Sequence, residues 1–232
     1  MKKIIVVILF FPLLVGWNWQ THSKLVESAY YSLEGGFIPF LDVAALMNGS
    51  LAPDRDFHDN RLHHYPPSYN KTLYWLTETK KALEGKKYSN ASYAFGVASH
   101  YISDSFAAPH NIKKESSKDH AAYEKQADQH YLYSNCATLS ETYVLHQKFL
   151  EATEQGKTWE KWLETRDEEI PEKAAQEAYA FILQVAKNTF AADCKNTTTV
   201  VTQQTFPTFT GIEILFLSLI IYSILSLMYS FF

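Results

Sequence analysis

The stretch Ser99–His110, SHYISDSFAAPH, places His100 and Asp104 four residues apart and follows them with His110. Residues i and i+4 of a helix leave from one face, so an imidazole and a carboxylate at this spacing can converge on one point. The Ala108-Pro109 step disfavours continued helix, so His110 comes in from a new direction. A few residues on, DHAAYEKQ repeats the device with His120 and Glu124. A single such pair is commonly a solvated ion pair on a helix surface. Two pairs with a histidine between them have the spacing of ligands to a divalent metal.

The segment APDRDFHDNRLHHYPP supplies more of the same chemistry, with Asp54, Asp56, His58, Asp59, His63 and His64. Carboxylates and imidazoles together, without cysteine, suit zinc or a similar ion. An acidic, turn-rich loop is the plainer alternative. A further candidate lies near the start of the chain. A cut after Gly16 would make Trp17 the first residue, with His22 five positions later. A terminal α-amine, with a pKa near ~8, can give up its proton to a metal, and the amine and carbonyl of one residue can chelate it.

The ends of the chain suggest export. Lys2 and Lys3 precede an apolar run, Ile4 to Val15, and the small Gly16, the pattern of a signal peptide over residues 1–16. Leu14 is not the small residue preferred three positions before the cut, and an uncleaved anchor is the alternative. From Ile214 to Phe232 there is no charge, and about 1.5 Å per residue carries this run about 28 Å, enough to cross a bilayer. It reads as a transmembrane anchor over 212–232 or a processed lipid-anchor signal, preceded by a Thr-rich linker over 195–211. Without Lys2 and Lys3 the basic residues fall from 21 to 19 against 25 acidic, a formal charge of −6. That balance disfavours nonspecific binding of polyanions. Cys136 and Cys194 are the two cysteines; export suits one disulfide, and two thiols are the alternative. Asn48, Asn70, Asn90 and Asn196 begin N-x-[ST] sequons, which also fit export.

The elements that must position these residues read as helices. Leu25, Val26, Ala29, Tyr30 and Leu33 form a 3.6-residue stripe, and Gly35-Gly36 ends it. FIPFLDVAALMNG reads as a second helix closed by Gly49, and 48–68 as one long loop. Further helices are expected near 69–84, 88–107, 117–134, 137–155 and 168–192. No stretch alternates at period two, so the expectation is a single all-α domain over 17–194.

Taken together, the residues resemble the zinc-dependent phospholipase C family, which is related to the single-strand-specific zinc nucleases that also act as 3′-nucleotidases. The shared pattern is a mature N-terminal Trp, a nearby His, a loop Asp, a His before an aromatic, H-x3-D-x5-H and a later H-x3-[DE]. Here these read Trp17, His22, Asp54, His63, His100, Asp104, His110, His120 and Glu124. The resemblance covers Trp17 to Glu124 and implies an all-α fold with three Zn²⁺ ions. It implies one ion on Asp54, His63, His100 and Asp104, and a second on Trp17, His22 and Asp104. The third would sit on His110, His120 and Glu124. Asp54 is the implied catalytic proton acceptor. His64 competes with His63, and Asp56 or Asp59 with Asp54, because this loop is shorter than the family's.

The implied activity is hydrolysis of phosphoesters, with phospholipid headgroups favoured by Glu124 at the last position and by the apolar C-terminal run. The alternatives are a nuclease or 3′-nucleotidase acting on nucleic acid, and a non-catalytic zinc-binding surface protein. The expected location is the cell surface, outside the cytoplasm, with no protein partner implied.

Overall fold

Helix α4 (Tyr88–Phe106) is buried along almost its whole length, from Ala91 to Phe106. Ala91, Ala94, Gly96 and Ala98 leave room for neighbours on several sides. The serines that a buried helix would otherwise strand bond to its own carbonyls, Ser99 to Gly96, Ser103 to His100 and Ser105 to Tyr101. Helices α2 (Val43–Ala52) and α3 (Pro67–Glu84) pack against α4, and α1 (Trp19–Tyr31) and α8 (Glu169–Thr189) complete the main core.

The computed structural model describes residues 19–128 and 144–195. Within them lie also α5 (Ser117–Ala127), α6 (Leu145–Ala152), α7 (Trp159–Thr165) and a two-residue antiparallel ladder, β1 (Leu33–Glu34) with β2 (Asp193–Cys194). The all-α expectation holds for these residues. The expected signal peptide (1–16), Trp17, all but the first residue of the linker (195–211), the anchor (212–232) and Cys136 lie outside them. Among the described residues no helix is long and apolar enough to cross a membrane. Cys194 is held in a disulfide.

Three expectations need correction. Gly49 does not close the second helix. The chain forms a short 3-10 turn over Ile38–Phe40, breaks, and then runs as α2 through Gly49 to Ala52. Asp42 caps this helix, accepting the Ala45 N–H at 3.0 Å. Gly49 is there for contact: a Cβ would lie 2.1 Å from the Tyr93 carbonyl oxygen of α4, and one on Gly96 would lie 2.1 Å from that of Leu46. The two backbones touch at these glycines. Second, 48–68 is not one loop. A π-helical turn spans Pro53–Phe57, a 3-10 turn spans Asn60–Leu62, and α3 begins at Pro67. Pro53 and Pro67 open turns, where the missing N–H costs nothing, rather than ending them. Third, α5 ends at Ala127, residues 129–134 of the expected helix lie outside the described residues, and the described part of the 137–155 helix is 145–152. Helix α7 had no counterpart in the sequence reading. Its Trp159 and Trp162 pack on Ala108 and Tyr123, directly behind His110 and Glu124.

Candidate metal centre

Eight of the nine expected ligands converge in one buried cluster; the ninth, Trp17, lies outside the described residues. Helix α1 brings His22, the π turn after α2 brings Asp54, and the following 3-10 turn brings His63. Helix α4 brings His100 and Asp104, the 3-10 turn Ala108–Asn111 brings His110, and α5 brings His120 and Glu124.

Asp104 is at the centre. Its Oδ2 lies 2.9 Å from His63 Nδ1 and 3.0 Å from His100 Nε2. Its Oδ1 lies 3.5 Å from His22 Nε2 and 3.6 Å from His110 Nε2. Asp54 Oδ1 stands 3.6 Å from both His63 Nδ1 and His100 Nε2. Glu124 Oε1 meets His120 Nε2 at 2.5 Å and His110 Nε2 at 3.6 Å. Tetrahedral zinc with bonds of ~2.0–2.1 Å separates its nitrogen and oxygen ligands by about 3.3 Å; the 3.5–3.6 Å spacings suit such an ion, and the 2.5–3.0 Å pairs would have to open to admit one.

Three groups bring their donor atoms within 4.8 Å: His22 with Asp54 and His100, His63 with Asp104 and His110, and His110 with His120 and Glu124. The last is the expected third group. The first two redistribute the expected sets, with His22 beside Asp54 and His100, and His110 facing Asp104 as well as Glu124.

The donor set fits zinc on a second ground. His100 Nε2, both Asp104 carboxylate oxygens and Glu124 Oε2 are buried without a hydrogen bond. Unsatisfied buried polar atoms are costly and rare, and four in one cluster require a common explanation. A shared set of cations supplies it.

The outward nitrogens are held in turn. His22 Nδ1 meets Ser103 Oγ at 2.7 Å, His100 Nδ1 donates to the Ser50 carbonyl at 2.8 Å, and His120 Nδ1 meets Glu115 at 2.6 Å. Such contacts fix ring orientation and tautomer at metal sites. Sequence spacing did not reveal Ser50, Ser103 or Glu115 in this role, since only Glu115 is near its histidine in the chain.

The alternatives in the loop differ in where they face. His63 is buried in the cluster and His64 is exposed. Asp54 faces in, whereas Asp56 is exposed and pairs with Arg55 at 2.7 Å. His58 is exposed in the left-handed region (φ 52) with Nδ1 on the Asp54 carbonyl.

In the metal-free protein the cluster is under electrostatic strain. Burial opposes charge on Asp104, yet the surrounding imidazoles hold its carboxyl well below the usual range. Burial pushes Asp54 and Glu124 up. Burial also lowers His22, and takes His110 down to about 3. On His63 burial is outweighed by Asp104 and then Asp54 and Asp59, which lift it to about 9. On His120 it is outweighed by Glu115 and Glu124, which lift it to about 10. Raised imidazoles keep their protons at pH 8, and zinc must displace them. Zinc loading at pH 8 is therefore expected to release protons, with His63 and His120 among the donors, a contribution that fades above about pH 10. Imidazoles at an ordinary 6.5 would release almost none at pH 8, so a pH-stat titration across this range separates the two cases.

The architecture defines a helical protein built around a buried histidine–carboxylate cluster whose groups could hold metal ions. The sequence profile of the family described as zinc dependent phospholipase C matches residues 21–192, and the chain belongs to that family. No curated protein and no solved structure matches it.

Proposed function

We propose that the protein is a phospholipase C-like zinc hydrolase that cleaves phosphodiesters of phospholipid headgroups. The observation that carries this reading is Asp104, fully buried, with each carboxylate oxygen facing two imidazoles and neither oxygen hydrogen-bonded. A carboxylate so placed serves more than one cation.

Three zinc ions are proposed. His22, Asp54, His63, His100 and Asp104 would hold two of them, with the amine and carbonyl of a terminal Trp17 completing the set. His110, His120 and Glu124 would hold the third. Zinc supplies an acidified water near neutral pH and positive charge that draws electrons from a phosphoryl oxygen. The protein's own groups do the rest. The outer contacts of His22, His63, His100 and His120 keep one lone pair of each ring pointing inward. Asp54 is the cluster carboxylate most open to solvent, at 20% exposure against 1% for Asp104 and 2% for Glu124. Its raised pKa makes it a stronger base than an ordinary carboxylate, and it is the proposed acceptor of a proton from the attacking water. Ala174, Ala175 and Ala178 of α8 line a cavity that reaches His22, Asp104 and Glu124.

The leader-like residues 1–16 and the uncharged run Ile214–Phe232 support a place outside the cytoplasm, held at a membrane. The purified full chain in detergent is expected to hydrolyse a short-chain phosphatidylcholine, to lose that activity with a chelator and to regain it with zinc. Cleavage of single-stranded DNA or a 3′-nucleotide without cleavage of phospholipid would replace this reading by the nuclease one. Zinc uptake with neither activity would leave a non-catalytic zinc protein.

A further inference from the structure

His63 differs from its neighbours in how it faces the cluster. His22, His100, His110 and His120 present Nε2, while His63 presents Nδ1. Nδ1 lies next to the Cβ branch, so the ring must be held at a narrower angle to offer it. Nε2 then points away from the cluster, and it meets Asp59 Oδ1 at 3.1 Å. The second Asp59 oxygen accepts the Tyr101 hydroxyl at 2.7 Å and lies 3.6 Å from Lys71 Nζ. Tyr101 is itself fully buried, and its ring stands edge-on to His63 at 5.7 Å.

We propose that Asp59 is a positioning residue for the metal centre: with Tyr101 and Lys71 behind it, it holds His63 in the tautomer and ring angle that aim Nδ1 inward, and so sets how tightly zinc is bound there. The π turn makes this possible. His58 lies in the left-handed region, and the 3-10 turn Asn60–Leu62, flanked by Asp59 and His63, brings these two side chains, four residues apart, to 3.1 Å. One short segment thus flanks the same ring with two carboxylates. Asp54 stands on the cluster side at 3.6 Å and Asp59 on the far side. Both Asp59 oxygens are occupied, which keeps it out of the cluster as a competing ligand. A carboxylate behind an imidazole raises its basicity more than a neutral acceptor does, and loss of such a partner typically costs 10–100-fold in metal affinity.

The inference rests on zinc being the ion of the proposed function, and its test reads binding rather than turnover. Zinc affinity of the full chain is measured by competition with a chromogenic chelator, and the visible spectrum is recorded after loading with Co²⁺. Asp59→Asn is expected to stay helical by circular dichroism, to weaken the zinc held by His63 by about 10–100-fold, and to shift the cobalt bands. Asp59→Glu restores part of the affinity. Tyr101→Phe, which keeps the Asp59–His63 contact, is expected to weaken zinc by about fivefold, and to add nothing in the Asp59→Asn background. A folded Asp59→Asn protein with unchanged zinc affinity and cobalt spectrum overturns the proposal. So does lowered stability alone, the signature of a mere loop anchor. If Asp59→Asn does not fold, unchanged affinity in Tyr101→Phe overturns it. A wild-type chain that takes up no zinc overturns the proposed function as well, whereas a zinc-loaded, active wild type with an unaffected Asp59→Asn removes this inference alone.

Discussion

Asp104→Asn is expected to strip most of the bound zinc and to lower hydrolysis by at least about a hundredfold, beyond the usual loss for an outer partner of a ligand. Asn is nearly the same size, so packing in α4 is preserved. What changes is charge and donor capacity. One of the two inward oxygens becomes an NH₂ that cannot ligate, and the remaining carbonyl carries no full charge. The four imidazoles arranged around Asp104 then lose the anion that holds them together. In the metal-free protein this leaves any protonated His63 buried with less compensation, and removing one partner of a buried ion pair costs about 3–5 kcal/mol. Glu124→Gln touches the His110–His120 group alone and should cost less in both metal content and rate. Elemental analysis of the purified variants, alongside turnover of a soluble phosphodiester, checks the order. Wild-type metal content and activity in Asp104→Asn would remove the cluster as the active centre.

The second large effect is expected at a helix contact one turn from His100, at a residue that is not itself a candidate ligand. Gly96→Ala should lower stability by about 3 kcal/mol, the upper end of ordinary overpacking, because the new Cβ would sit 2.1 Å from the rigid Leu46 carbonyl and 2.9 Å from the Ser50 nitrogen. In a domain of this size that corresponds to roughly 6–12 °C in melting temperature. Zinc affinity should fall as well. Helix α2 gives the Ser50 carbonyl that orients His100, so pushing α2 from α4 lengthens the 2.8 Å contact behind a ligand. Gly85→Ala is the control, since its nearest neighbour outside adjoining residues would be 3.4 Å away. Calorimetry and chelator competition on both variants test the link between helix contact and metal binding. A loss of stability without any change in zinc affinity would show that α2 is not part of the site's support.

The helix members of the cluster were legible because their information is local. His100 with Asp104, and His120 with Glu124, are i,i+4 pairs whose convergence follows from helix geometry alone, and Pro109 marks the turn that redirects His110. Choosing among Asp54, Asp56 and Asp59, or between His63 and His64, was beyond spacing, because a π turn and a left-handed residue decide which side chains face inward. Gly49 misled for a related reason. A glycine reads as a terminator when only the chain is considered, but here it is demanded by another helix some forty residues away. Helix α7 is short and interrupted by no apolar period long enough to register, and its tryptophans acquire meaning only against Tyr123 and Ala108. The groupings of the ligands depended on which oxygen of Asp104 faces which ring, a matter of side-chain rotamer that no pattern of residue types encodes.

The outer contacts of the histidines are chemically unequal, and this bears on how the site can change over generations. His100 leans on a backbone carbonyl, which no single substitution at Ser50 deletes. His22 leans on a serine hydroxyl, and His63 and His120 on the carboxylates of Asp59 and Glu115. One-base changes can turn these carboxylates into amides or lengthen and shorten them by a methylene, while the rings they support stay in place. If the cluster holds zinc as proposed, its candidate ligands can stay unchanged while metal affinity drifts by graded steps, separately at the His63 and His120 ends of the cluster. A lineage facing scarcer or more plentiful zinc has two independent dials to turn, and neither requires losing a ligand along the way.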